Sequence, residues 1–241
     1  MKLKKYAKGL LFLVCLLAFV GIGIYIHDEK AWDADFATVS PGLSYLGENY
    51  VPQPPGNKLG EEQMPNQFVQ YGDDLYYKTF VTTEYNYNKI YAYNTKTKET
   101  RFVYATKEDD DRSIYIFSTN GSKLILVYYE GDVSVVDLFT QTETNLKVQK
   151  FRDAAIHGHE LIYLMENGSV WRQNLRSDKA TKIEGVNAYS ITVYEGVIYY
   201  EDLDNGECIS RYDLRTGENV KTDELLESYF VIVDGKIQQY E

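Results

Sequence analysis

The feature that most constrains this chain is a cadence that recurs along its C-terminal three quarters. Four segments, "IYAYNTKTKET", "VSVVDLFTQTET", "VWRQNLRSDKAT" and "ISRYDLRTGENV", each run a short apolar stretch into an Asx residue with Ser or Thr three positions later. The anchors are Asn94, Asp137, Asn174 and Asp213, with hydroxyl partners Thr97, Thr140, Ser177 and Thr216. Such side chains hydrogen-bond nearby amides and fix a turn at a strand end. A second landmark precedes each of these. "YGDDLYY", "NGSKLIL", "HGHELIY" and "YEGVIYY", and the later "VDGKIQQY", set a glycine-containing turn before an apolar strand. The strands start at Leu75, Leu124, Leu161, Ile198 and Ile237. Two landmarks drifting together at intervals of about 40 residues are the mark of propeller blades of four short strands. A helical solenoid of that period would space its apolar residues by about 3.6, whereas "IYAYN" and "VSVVD" have strand composition.

Proline distribution supports a sheet. All five prolines lie between Pro41 and Pro65, and the chain from Asn66 onward holds none, together with most of the tyrosines. Proline cannot donate to a ladder and tyrosine favours strands. The proline-rich stretch, including "VPQPPGNKLGEEQMP", predicts an extended spacer. "FATVSPGLSYLG" (Phe36 to Gly47) reads either as linker or as a short strand that docks onto the sheets.

The N-terminus differs from everything after it. "MKLKKYAK" carries four lysines, and "GLLFLVCLLAFVGIGIYI" (Gly9 to Ile26) is an uninterrupted uncharged run. As a helix this run is about 27 Å long, against roughly 30 Å for a bilayer core. Lysines before it and Asp28 and Glu29 after it place the N-terminus inside and the bulk of the chain outside. A cleaved signal peptide is the rival reading, but the run exceeds the usual length of about 7–15 residues and no small-x-small site better than Gly21 and Gly23 follows. Cys15 sits mid-run after Val14, which argues against a lipidated cysteine. The expected organisation is a cytoplasmic tail over 1–8, a transmembrane anchor over 9–26, a spacer over 27–65 and a sheet domain over 66–241.

Beyond residue 26 the chain holds 21 basic and 36 acidic residues, a net charge of −15. Such a body repels phosphate backbones and anionic lipid surfaces, which excludes nucleic acid as the expected partner. Only Cys208 remains there, so no intramolecular disulfide is expected in this part of the chain.

The repeated text carries a family resemblance. "IYYED" followed by "ISRYDL" (Ile198 to Asp202, Ile209 to Leu214) resembles the "IYWTD…I-x-R-x-x-L" repeat of low-density-lipoprotein-receptor-type propellers. "IYAYNTKTKE" and "YDLRTGE" resemble quinoprotein-type blades with their "YALDAKTGK" turn. Degenerate repeats of this kind occur in membrane-anchored or secreted proteins of Gram-positive bacteria. The resemblance covers about residues 68–240 and implies an architecture, not an activity. The tryptophan that closes a quinoprotein blade is absent, with Phe102, Leu146, Ile183 and Val220 near its place, so no quinone or other cofactor is inferred. The fold class expected is therefore all-β: a β-propeller-like domain of about five small blades behind one N-terminal transmembrane helix. Four repeats are complete, and Tyr229 to Tyr240 supplies two strands of a fifth. A strand from Phe36 to Leu46 would close a five-bladed ring. Without it the ring is open, and an unpaired edge predicts an oligomer or a partner.

Several tempting side chains have structural readings. Asp202 and Asp204 suggest a calcium loop, yet Gly206 stands where a third ligand belongs and no twelfth-position glutamate is in register. Asn205-Gly206 between two strands is instead a hairpin signal, and Cys208 beyond it reads as a small, partly buried thiol. His157 and His159 could offer imidazoles to zinc, but further ligands are lacking and the same slot elsewhere is a turn. "KEDDDRS", with Asp109, Asp110 and Asp111, reads as a solvated acidic loop, with weak calcium binding as the alternative. "TTEYNYNK" (Thr82 to Lys89) reads as an extended hairpin, with exposed tyrosines for sugars or proteins as the alternative. No nucleophile elbow or phosphate-cradling glycine loop occurs. No catalytic, cofactor or metal residue is assigned. The expected function is a membrane-anchored, extracytoplasmic binding module whose partner is another envelope protein or a glycan. A carbohydrate-active hydrolase on the same scaffold and a structural envelope component are the rivals.

Overall fold

The computed structural model describes residues 2–39, 68–82, 86–107, 110, 112–206, 208–223, 225, 229–233 and 236–240. The chain divides into two compact units, Met1–Asp35 and Phe36–Glu241. The first is a helix, α1 (Lys2–Ala31), continuous through the apolar run and past its end. Trp32 and Asp33 donate their amides to the carbonyls of Glu29 and Lys30 and close it. Side chains are described from Leu13. Leu17 and Phe19 are 62% and 75% exposed, within an apolar helix surface. The apolar run Gly9–Ile26 lies wholly within this helix and is about 27 Å long at helical rise. Among the described residues no helix is long and apolar enough to cross a membrane.

The second unit, the body, is built of antiparallel strands throughout. It opens with β1 (Phe36–Val39), so the body starts inside the stretch expected to be spacer. The rest of that stretch, 40–67, lies outside the described residues. Four modules follow, each an up-and-down set of four strands. Module 1 is β2 (Phe68–Tyr71), β3 (Asp74–Thr82), β4 (Asn86–Asn94) and β5 (Thr100–Ala105). Module 2 is β6 (Ile114–Thr119), β7 (Lys123–Tyr128), β8 (Val133–Asp137) and β9 (Thr142–Leu146). Module 3 is β10 (Asp153–Gly158), β11 (Glu160–Leu164), β12 (Ser169–Asn174) and the first half of β13 (Ala180–Tyr194). The second half of β13 begins module 4, which adds β14 (Val197–Asp202), β15 (Cys208–Asp213) and β16 (Asn219–Val220). Modules 3 and 4 are thus one continuous sheet, because no turn separates Asn187 from Ala188. The bend is made by Gly185, whose φ of 76° a side-chain-bearing residue rarely adopts. A two-stranded sheet, β17 (Tyr229–Val233) with β18 (Lys236–Tyr240), comes last.

Both sequence landmarks are turns at the same end of each module. The first strand pairs with the second through two-residue turns in modules 1, 3 and 4, at Tyr71↔Asp74, His157↔Glu160 and Tyr194↔Val197. In the last of these Glu195 and Gly196 have φ of 47° and 79°, the mirror-image turn whose twist suits a hairpin. The Asx residues cap the turn between the third and fourth strands. Asn94 Oδ1 accepts the amides of Lys96 and Thr97 at 3.0 and 2.9 Å, and Asp137 Oδ1 those of Phe139 and Thr140 at 3.0 and 2.8 Å. Asp213 Oδ1 accepts those of Arg215 and Thr216 at 2.8 and 2.7 Å. Asn174 Oδ1 accepts the amide of Arg176 at 2.9 Å, while Ser177 donates its amide to the Asn174 carbonyl instead.

The two landmarks keep step because they touch. The residue after each Asx donates its amide into the neighbouring first turn: Thr95 to Asp73, Leu138 to Ser122, Leu175 to His159 and Leu214 to Gly196, at 2.8–2.9 Å. Inserting residues in one turn without the other would break this bond.

The core lies between modules. Strand β7 is buried along its whole length, and a cluster of Ile162, Leu164, Val170, Ile183, Ile191 and Ile198 fills the space between modules 3 and 4. The first strands β2, β6, β10 and β13 gather around β1. Instead of completing the last, two-stranded sheet, β1 pairs antiparallel with β10, at Phe36↔Gly158 and Val39↔Ile156. Burial explains the choice. Phe36 and Val39 are 3% and 5% exposed, which the outer edge of a surface sheet would not provide. Ser118 of β6 donates its hydroxyl to the Ala37 carbonyl at 2.5 Å, Thr38 Oγ1 lies 2.9 Å from His157 Nδ1, and the Phe36 ring stands edge-on to His159. The β17–β18 sheet stays two-stranded among the described residues and packs Ile232 and Ile237 onto Tyr199 and Ile209 of module 4.

These contacts set three stability outcomes. Asp137 also accepts from the buried Lys123 ammonium at 2.9 Å, so Asp137→Ala strands a charge and is expected to cost about 3–5 kcal/mol. Asn94→Ala, which removes caps and no buried charge partner, is expected to cost about 1–2 kcal/mol. Phe36→Ala is expected to cost about 3–5 kcal/mol, where a strand loosely laid on the surface would lose almost nothing. Equilibrium denaturant unfolding measures all three.

Candidate functional site

The end of each module opposite the capped turns carries the loops between second and third strands. It is also where the chain crosses from one module to the next. Its most organised part centres on Arg112, in the crossover between modules 1 and 2. The Arg112 guanidinium is bidentate to Asp110, Nε to Oδ1 and Nη2 to Oδ2, both at 2.8 Å. Its Nη1 reaches Asp132 Oδ2 at 3.4 Å, and Glu143 Oε1 lies 3.9 Å from Nη2. The guanidinium carbon stands 4.1 Å from the centre of the Tyr128 ring. The side-chain bond from Arg112 holds the Asp110 carboxyl below its ordinary range. Tyr104 of module 1 donates to Glu143 Oε2 of module 2 at 2.9 Å, and burial followed by that carboxylate raises its pKa. This is a clasp joining two modules.

Beneath the clasp two side chains of module 1 hold the crossover by its backbone. Asn88 Nδ2 donates to the Arg112 carbonyl at 2.9 Å and Lys78 Nζ to the Ile114 carbonyl at 2.5 Å. Burial lowers the Lys78 pKa from 10.5 to about 8.

A second group links modules 2, 3 and 4. Tyr115 donates to Asp153 Oδ1 at 2.7 Å, and Ala154 donates its amide to the same oxygen at 2.8 Å. Burial raises the pKa of both Tyr115 and Asp153. The Tyr129 ring, 67% exposed, leans on Tyr115 with centroids 5.0 Å apart. Arg152 donates to the Tyr189 carbonyl and lies 4.7 Å over its ring, which is 56% exposed. Leu203, in the β14–β15 loop, is exposed as well. The surface thus combines exposed tyrosine faces with carboxylates that are mostly committed to protein partners. Such a surface can stack on and hydrogen-bond a ligand.

The residues weighed from sequence fall as follows. Asp202 is 1% exposed and accepts from the Asp204 amide and Ser210 hydroxyl, both at 2.9 Å, with Lys221 Nζ 3.4 Å away. Asp204 accepts from Asn187 Nδ2 at 2.8 Å. The Asn205-Gly206 segment turns β14 into β15, with Gly206 at φ 65°. Cys208 is a free, half-buried thiol on β15. His157 and His159 form the β10–β11 turn and face β1. His27 is on α1. Among the described residues no group of three metal-ligating side chains occurs. In "KEDDDRS", Asp110 is tied to Arg112, while Asp109 and Asp111 lie outside the described residues. In "TTEYNYNK", β3 and β4 pair out to Thr82↔Asn86, an extended hairpin, with residues 83–85 outside the described set.

Sequence reading missed Arg112, Lys78 and the Tyr115–Asp153 pair. An Asp-x-Arg spacing closing an acidic run was one available signal for a folded-back arginine. Nothing local marks Lys78, whose burial depends on module 2.

Lys78 gives a pH outcome. With its pKa lower in the folded than the unfolded state, the fold binds fewer protons between about pH 8 and 10.5, so its contribution rises with pH there and is smallest below pH 8. The stability of the natural chain relative to Lys78→Met is therefore expected to increase from pH 8 to pH 10, by on the order of 1–3 kcal/mol. Paired denaturant titrations measure it, and a flat difference refutes the burial of that ammonium.

No protein-family model and no curated protein matches the chain. Among solved structures it is similar to the computationally designed Ika8 protein, with 8% identity over 70% of this chain and 64% of that one, at a TM-score of 0.43. It is also similar to an oligogalacturonate lyase in complex with manganese, with 8% identity over 72% of this chain and 58% of that one, at 0.46. A chain of the mitotic checkpoint complex matches with 11% identity over 77% and 61%, at 0.42. The chain spans less than two thirds of the length of each of these structures.

Proposed function

We propose that this chain is a single-pass, N-terminally anchored protein that presents an acidic β-propeller-like body outside the cytoplasm as a binding module. Four four-stranded modules gathered by their first strands, followed by a two-stranded fifth, support the propeller-like reading. The lipoprotein-receptor-type and quinoprotein-type resemblance of the repeats agrees with it. Support for the anchor comes from α1, one helix running without a break from Lys2 through the whole apolar run to Ala31. The lysines before that run and the acids after it favour the outward orientation of the body.

The observation that carries the binding role is the contrast at the crossover end: Tyr129, Tyr189 and Leu203 are exposed, while Asp110, Asp153 and Asp202 are held by protein donors. A hydrolase needs two carboxylates facing one another about 5–10 Å apart with a substrate between them, and these three are engaged in holding loops. The position at the middle of the body, where a propeller commonly takes a small ligand, is filled by Phe36 and Val39 of β1. A protein partner is further favoured by β18, whose outer edge has no strand beside it among the described residues.

Capture of the anchored chain from its native envelope, with and without calcium, tests this reading. A reproducible protein partner, independent of calcium, is the expected result. Retention of glycan alone would move the assignment to carbohydrate binding, and recovery of the chain in the soluble fraction would refute the anchor.

A further inference from the structure

The body seats its own arginines in a recurrent way. Arg101 lies 5.7 Å from the centre of the Tyr76 ring with Asp74 Oδ2 at 2.6 Å. Arg112 lies 4.1 Å over Tyr128 with Asp110 at 2.8 Å and Asp132 at 3.4 Å. Arg152 lies 4.7 Å over Tyr189 and acts electrostatically on the neighbouring Asp153. The Arg101 and Arg112 seats each join a tyrosine face to a carboxylate, which suits a planar, weakly hydrated guanidinium, while Arg211 lies 5.9 Å over Tyr199 on the ring alone.

Tyr129 is an exposed tyrosine in a loop that also carries carboxylates. Its ring is 67% exposed and is propped 5.0 Å from Tyr115. The Tyr115 hydroxyl is itself fixed on the buried Asp153 at 2.7 Å, so the pair is oriented from below. Glu130 and Asp132 follow Tyr129 in the same β7–β8 loop. The Asp132 side chain is 63% exposed and spends one long 3.4 Å contact on Arg112. Among the described residues no lysine or arginine lies over the Tyr129 ring. We propose that the Tyr115–Tyr129 pair, with Glu130 and Asp132, is a docking seat for an arginine side chain in a basic segment of a partner protein.

Charge selects this occupant over others. A body of net charge −15 beyond residue 26 draws in cationic segments and repels nucleic acid and acidic polymers. A neutral sugar would use the rings but gain little from the two carboxylates. Arginine rather than lysine is expected, because the guanidinium stacks on a ring while donating in its own plane to a carboxylate. The inference rests on the binding-module reading and deepens it by giving the partner's chemistry.

The full chain in a neutral detergent, titrated with fluorescent hexa-arginine and hexalysine peptides and followed by anisotropy, provides the test. Hexa-arginine is expected to bind more tightly than hexalysine, and Tyr129→Ala to weaken it by about fivefold, the scale of one exposed cation–π contact. Asp132→Asn is expected to weaken it by about twofold to threefold. Tyr129→Phe, which keeps the ring, should stay within about twofold of the natural chain. Phe139→Ala removes an aromatic that is also largely exposed, in the capped turn of module 2, and is expected to change nothing. Equal affinity for both peptides with no loss in Tyr129→Ala would show attraction by net charge alone and overturn the seat. So would an equal loss in Phe139→Ala. If a protein partner is recovered from the envelope but its capture is unaffected by Tyr129→Ala, the seat is refuted while the binding-module reading stands.

Discussion

The body depends on a main-chain hydrogen bond made once per module. The amide of Thr95, Leu138, Leu175 or Leu214 donates to a carbonyl in the turn beside it. Each donor is positioned by the Asx residue before it, whose side chain gathers the next amides and holds the loop in one shape. The bond joins the two hairpins of a four-stranded set at one end. With both hairpins fixed there, the opposite end is free to vary in loop length without loss of register.

That division of labour places chemistry and packing in different parts of each module. Strand interiors hold isoleucine, valine, leucine and buried tyrosine such as Tyr77, Tyr163 and Tyr200. Tyr200 fills the space between sheets with its ring while its hydroxyl donates to Asn219 at 2.8 Å. At module junctions the same residue type becomes a clasp: Tyr104 reaches Glu143, and Tyr115 reaches Asp153. Removing a carboxylate from such a pair leaves a hydroxyl without its acceptor, so these acids are costly to replace.

Much of this architecture was legible in the sequence because local rules govern it. The Asx and glycine turns announce themselves by residue type, and Asn94, Asp137 and Asp213 do what Asx residues at strand ends do everywhere. The hairpin at Asn205-Gly206 followed from the same rule, as did the reading of His157 and His159 as turn residues. The candidate surface was much less legible. Arg112 was hidden within an acidic run that reads as solvated loop, and its partners Glu143 and Tyr128 come from other strands. The docking of β1 was anticipated as one of two alternatives, yet its destination was not. An apolar alternation shows that a strand wants burial, and does not show which edge offers it.

The sequence by itself determined the strand repeat, the positions of its turns, the acidic surface and the segregation of apolar residues into an N-terminal helix. Each is set by backbone preference or by composition within a few neighbouring residues. Tertiary structure alone decided that β1 lies among the first strands, that modules 3 and 4 share one sheet through β13, and that Tyr129 is exposed while Tyr128 is buried under an arginine. Those outcomes depend on which surfaces meet across a whole module of chain or more, where free energy of burial, and not local preference, selects the pairing.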